Sequence, residues 1–230
     1  MKIAADFSQR AVVHSQLQEW MASPMTGVYR KPLDRVGAEV ARATTIVRYD
    51  PGSEFSEHIH TGGEEFIVLA GIFEDEHGQF PAGSYIRNPP QSRHQPSSKG
   101  GCTMLVKLWQ FDANDRTHVR LQMNKMGKIQ LHDNDQVAVT PLYLDDIEEV
   151  SVLHFQANAT YSLEAKGGAE LLVLEGSAQE STDTLNKHSW LRTPIGSNLQ
   201  VKAGEQGATI WVKTGHLTQV EEQIARVINA

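Results

Sequence analysis

The sequence predicts an all-β protein built from barrels or sandwiches, and three observations carry that prediction. Short β-branched or aromatic runs recur along the chain, each bounded by Gly, Pro, Asp or Asn. Helical periodicity is nearly confined to the C-terminal end. The chain also repeats itself, so one β-domain is expected twice.

In order, "ATTIVRYD", "EFIVLAGIFE", "GSYIRNPP", "CTMLVKLWQF", "AELLVLEG", "HSWLRTP" and "ATIWVKTG" read as strands. "SQRAVVHSQLQEWM" near the start reads as a helix or an irregular arm. Near the end, "TQVEEQIARVIN" sets Val220, Ile224, Val227 and Ile228 at helical spacing, with Thr218 and Glu221 as a capping box.

The repeat has an offset of 105 residues, which lays Gly71 on Gly176. Without gaps, Gly62 and Gly63 then fall on Gly167 and Gly168, Glu65 on Glu170, Arg87 on Arg192 and Pro89 on Pro194. With one inserted residue "GCTMLVK" matches "GATIWVK". The reading is an N-terminal domain over 1–115, a linker over 116–135 and a C-terminal domain over 136–230.

The chain has 230 residues, 40% of them apolar, enough for a packed core. A net charge of −7 argues against nucleic acid or an anionic membrane as partner. Cys102 stands alone, so no disulfide forms within the chain, and a reducing, cytoplasmic location is expected. No run approaches the roughly 18 apolar residues of a membrane helix, and "MKIAADFSQR" lacks a signal peptide's apolar stretch.

Within "PGSEFSEHIHTGGEEFIVLAG", His58 and His60 are two apart and share one face of a strand. Gly52 lies six residues before His58, Glu64 four after His60, and Gly71 seven after Glu64. Further on, Gly83 lies six before Pro89, and His94 five after it. These spacings resemble both signature segments of the cupin family. Gln91 departs from the pattern, which has glycine there, and Ser98 stands where Asn is frequent. The wording from Ala4 to Arg116 is similar to the ChrR-like cupins, a group related to a zinc-dependent anti-sigma factor and to acetylacetone-cleaving dioxygenases.

The resemblance implies a double-stranded β-helix (jelly-roll barrel), two tandem cupin domains, and one divalent transition metal per chain (Zn, Fe, Mn, Ni or Co) on His58, His60, Glu64 and His94. Three imidazoles and a carboxylate suit any of these ions. The spacing admits Glu64 or Glu65, and two arguments separate them. Glu64 is an even step from both histidines. In the second copy His58, His60, Glu64 and His94 map to Leu163, Ala165, Ala169 and Leu199, whereas Glu65 maps to an acid, Glu170. Glu65 is therefore expected to serve the shared fold, and the C-terminal domain to bind no metal in the cupin manner.

The functional expectation is an Fe-type dioxygenase acting on a β-diketone or similar chelating small molecule beside the metal, with no separate catalytic base identified. The alternative is a zinc-binding sensor or regulatory module without an anti-sigma domain, since only roughly 35 residues precede the first barrel strand. A homodimer is expected by analogy with cupins. Cys102 reads as a small buried residue, Arg87 as the holder of a carboxylate, Tyr85 and Lys107 as candidate pocket residues, and "EDEHG" as a solvated turn.

Overall fold

The computed structural model describes residues 1–230 and contains strands, three short 3-10 turns and one α-helix, Val220–Ile228. No helix is long and apolar enough to cross a membrane. The chain forms two compact units.

The first unit comprises residues 1–5, 18–124 and 221–230. Its main antiparallel ladder runs Val28–Gly37, Ala41–Tyr49, Cys102–Leu108, Glu64–Asp75, Ser84–Asn88 and Val119–Gln122. A second, two-stranded ladder pairs His58–His60 with Ser92–His94. Alternation along Glu64–Asp75 sends Phe66 and Val68 into a core shared with Phe55, Phe73, Met104 and Val106. The opposite face buries polar groups instead. Glu65 accepts from the Tyr85 hydroxyl at 2.7 Å and lies 3.9 Å from the Arg87 guanidinium. Arg87 also pairs with Asp115 at 2.9 Å, as a carboxylate holder should. Tyr85 and Lys107 belong to this face, Lys107 donating to the Thr44 hydroxyl, so neither is a pocket residue beside the histidines.

The second unit comprises residues 6–17 and 125–220. Its ladder runs Ile129–Leu131, Asn134–Leu144, Glu149–Phe155, Ser197–Thr214, Ala169–Glu180, Ser189–Thr193 and Ala11–His14, with Thr160–Ala165 paired to Ser197–Thr214. The arm expected near the start is thus a strand, Ala11–His14, followed by a 3-10 turn, Ser15–Leu17. The unit boundaries depart from a contiguous 1–115 and 136–230 division. Residues 6–17 hydrogen-bond to the Ser189–Thr193 edge, and residues 221–230 pack with the first unit, where Arg42 donates to Gln223 at 2.9 Å.

The terminal helix forms, but its details differ from the spacing argument. Val220 and Val227 are buried, while Ile228 is 72% exposed and Gln223 takes the inward position to meet Arg42. Thr218 lies in a preceding 3-10 turn, His216–Gln219, and bonds back to the Gly215 carbonyl, so no capping box forms.

The two units repeat local chemistry at equivalent positions. Glu170 accepts from Trp190 Nε1 at 2.6 Å, as Glu65 does from Tyr85. Gly71 and Gly176 both adopt φ +73°, and a Cβ at either would lie within 2.2 Å of a carbonyl oxygen, on Gly101 and Gly207 respectively. Gln91, at its non-glycine position, still adopts φ +73°, beside +80° for Gly196 in the second unit. Their amides donate to the equivalent carbonyls of His60 and Ala165, each at 2.9 Å. The turn survives because its hydrogen bond, not its residue, sets the conformation.

Candidate metal centre

The strand His58–His60 is short because a turn ends it, with the Gly63 amide donating to the His60 carbonyl at 3.1 Å. Gly62 and Gly63 are both needed there. A Cβ on Gly62 would lie 2.1 Å from the Trp109 ring, and one on Gly63 2.6 Å from the Phe111 ring. The chain then turns through Thr61–Gly63 and enters the long strand, in the main sheet, at Glu64, so the turn and not strand parity brings Glu64 to the histidines.

Pairing across to Ser92–His94 sets His94 directly opposite His58 and Ser92 opposite His60. Three imidazoles therefore share one face. Their ligand atoms all lie within 4.8 Å of one another. His60 Nε2 and His94 Nε2 are 2.8 Å apart, and Glu64 Oε2 lies 3.4 Å from the first and 3.5 Å from the second. Glu65, one residue on, projects to the other face. The structure thus brings together His58, His60, His94 and Glu64.

Two outer partners orient the rings. His58 Nδ1 is 3.1 Å from the Ser56 carbonyl oxygen, and His94 Nδ1 is 3.4 Å from Asp75 Oδ2. Each contact favours a proton on Nδ1 and turns Nε2 inward as a lone-pair donor, the arrangement by which a second shell orients metal-binding histidines. Asp75 was not foreseen as part of the site. Sequence places it in a polar turn, yet its side chain is only 4% exposed and faces His94, while Glu74 caps the Lys99 amide at 2.9 Å. No local spacing announces this, because Asp75 and His94 are 19 residues apart with two further strands between them.

Burial and charge act in opposition here. Burial pushes the His60 imidazole below its usual pKa, and the neighbouring His94 and His58 add to this against the pull of Glu64. Burial also opposes charge on His94, but the Asp75 hydrogen bond and the carboxylates of Glu64, Asp75 and Glu76 outweigh it and raise its pKa. Asp75 is desolvated as well, yet its bonds to His94 and to the His77 amide hold its carboxyl below the usual range.

The residues fit a divalent cation. Glu64 Oε2 is buried without a hydrogen-bond donor, an expensive state for a carboxylate oxygen unless a cation lies beside it. Nitrogens held about 2.1 Å from one ion at right angles stand about 3 Å apart, and the 2.8 Å between His60 and His94 agrees with that spacing. The donor set of nitrogen and oxygen suits zinc, iron, manganese, nickel or cobalt and does not choose among them. Beneath the site, Phe73 lies 5.7 Å from the His94 ring, so the inner side is dry, whereas His58 is exposed. Cys102 belongs to that core, and burial pushes its thiol up to about 11, which makes it an inert packing residue.

The remaining histidines lie outside this cluster. His216 is buried 3.1 Å from Glu170, His154 lies 3.0 Å from the Thr140 hydroxyl, and His14 lies 3.1 Å from the Ser189 hydroxyl. The second unit carries Leu163, Ala165, Ala169 and Leu199 where the first carries its four polar side chains, with Ala165, Ala169 and Leu199 at 2% exposure or less.

Comparison with known proteins agrees with this architecture. Residues 8–112 match the ChrR cupin-like domain. No curated protein matches the chain by sequence. Among solved structures, a proposed dioxygenase from Nostoc punctiforme superposes with a TM-score of 0.70 at 17% identity, over 89% of this chain and 82% of that one. A nickel(II) complex of the bacterial pirin YhhW from Escherichia coli gives 0.66 at 11% identity, over 90% and 99%. An oxalate decarboxylase variant from Bacillus subtilis gives 0.64 at 10% identity, over 89% and 77%. At these identities the likeness establishes a shared fold. Residues 8–112 thus match the ChrR cupin-like domain, and the fold around them is one shared with these cupin structures.

Proposed function

We propose that this chain is a metal-dependent enzyme acting on a small molecule, of the iron dioxygenase type, with a β-diketone or similar chelating compound as substrate. The observation that carries the reading is the meeting of three imidazoles with an otherwise unpaired carboxylate oxygen on a face that solvent reaches at His58. His58, His60, Glu64 and His94 would hold the ion. When bound, such an ion supplies a Lewis-acid and redox centre for the substrate and O₂. The chain's own residues do the rest. Ser56 and Asp75 aim His58 and His94 inward, Glu64 balances one positive charge, and Phe55, Phe66 and Phe73 keep water from the inner side.

The test is metal content followed by turnover. Protein purified without added metal is analysed for bound metals, reconstituted anaerobically with Fe²⁺, and assayed for O₂ uptake with 2,4-pentanedione and related diketones. About one metal per chain with diketone-dependent uptake is expected. Stoichiometric zinc and no turnover with any diketone would instead favour a zinc-holding sensor module.

A further inference from the structure

The second unit has a cavity beside Leu163, the position equivalent to His58, and none of the first unit's four polar site residues. A cavity of about 270 Å³ opens among Leu153, Leu163, Val212, Tyr161, Ser151 and Glu149, all within that unit. Leu163 holds the position equivalent to His58, and Val212 and Ser151 face each other across paired strands as Val106 and Thr45 do in the first unit. Ala165, Ala169 and Leu199, at the positions of His60, Glu64 and His94, are buried apolar residues.

We propose that this cavity is a second, metal-free binding site for a small neutral aromatic molecule carrying one hydroxyl, a phenol-type ligand. The volume lies just under that of drug-sized pockets and suits a single ring. Leucine and valine walls supply apolar contact, and the Tyr161 ring adds an aromatic surface. The polar groups select what the ring carries. The Tyr161 hydroxyl, kept protonated by burial and then by the Glu149 charge, donates. The Glu149 carboxylate accepts and repels anions. A hydroxyl both donates and accepts, whereas a carboxylate ligand would meet Glu149 with like charge.

The full-length protein, with its metal content measured, is titrated with phenol and separately with benzoate by saturation-transfer NMR, and methyl-labelled wild type is followed in parallel. Saturable phenol binding with a Kd on the order of 1 mM is expected for so small a ligand. Benzoate should bind at least tenfold more weakly, and shifts should concentrate on Leu153, Leu163 and Val212. Leu163→Trp, or Val139→Phe on another wall of the same cavity if the first fails to fold, should weaken phenol binding at least tenfold without changing metal per chain. Equal binding of benzoate, no saturation, or shifts confined to the metal-bearing unit would each overturn the proposal. So would phenol binding that survives the cavity-filling variants or disappears in His94→Ala.

Discussion

Glu64 and Glu65 are chemically identical neighbours with opposite duties, and their environments forecast opposite variant behaviour. Glu64 faces imidazole nitrogens at 3.4 and 3.5 Å, and Glu65 faces Tyr85 and Arg87. Glu64→Gln should lower metal per chain while leaving metal-free stability nearly unchanged. Glu65→Ala should leave metal per folded chain intact and cost about 3–5 kcal/mol, because it strips a buried guanidinium of a carboxylate. Paired metal analysis and urea melts of the apo proteins read both. Asp75→Asn is the finer case. It leaves every proposed ligand in place, yet metal affinity should fall about 10–100-fold by competition with a chromophoric chelator. The histidine spacing was readable from sequence because period-two alternation survives in any strand, and Glu64 was readable from the second copy, where Ala169 replaces it while Glu170 keeps the acid of Glu65. Asp75 was not, because only the closed barrel brings it to His94 across two intervening strands. Tyr85 and Lys107 were misassigned for a related reason. Strand parity tells which residues share a face, but not that the face away from the barrel core is itself buried and polar.

At the scale of the element, turns explain why the two copies still fold alike after most side chains have changed. The long strands Glu64–Asp75 and Ala169–Glu180 each bend at a glycine with φ +73° against a facing carbonyl. Gly71→Ala and Gly176→Ala should therefore each destabilise by at least about 1–3 kcal/mol from backbone conformation alone, with further loss from the steric clash. Thermal melts check this, and comparable losses at the two sites would show that the bend serves the barrel and not the metal. These glycines were visible in the repeat as conserved spacing within one chain. The terminal helix was visible too, but Ile228 and Gln223 exchange the burial that apolar periodicity assigns them, because a buried Arg42 needs an acceptor. Periodicity counts apolar side chains and cannot see a partner 181 residues away.

For the molecule as a whole, pH and chain order matter more than any single contact. Burial and then Lys128 depress the His154 imidazole from 6.5 to about 4 in the folded state. The unfolded chain therefore takes up a proton there first as pH falls. Stability contributed by neutral His154 is present above about pH 6.5 and is lost progressively as pH drops toward 4. His154→Gln should flatten that part of the stability–pH curve, as measured by denaturant midpoints between pH 7 and 4. The all-β class and the twofold repeat were legible from turn residues and offset matching. The membership of residues 6–17 and 221–230 was not, because hydrogen bonding to a remote edge strand leaves no mark on local sequence.

That membership bears on how the protein is made. A ribosome delivers the strand Ala11–His14 long before its partner Ser189–Thr193 exists, and it delivers residues 221–230, which pack with the first barrel, only after the strands of the second unit. The barrel that carries the histidines can close its histidine ladder early, since every strand between His58 and His94 lies within the same unit. Its completion nevertheless waits on the final ten residues. Translation therefore yields no stage at which one unit is finished while the other has yet to begin, and a cell expressing either half by itself would make an open-ended fragment.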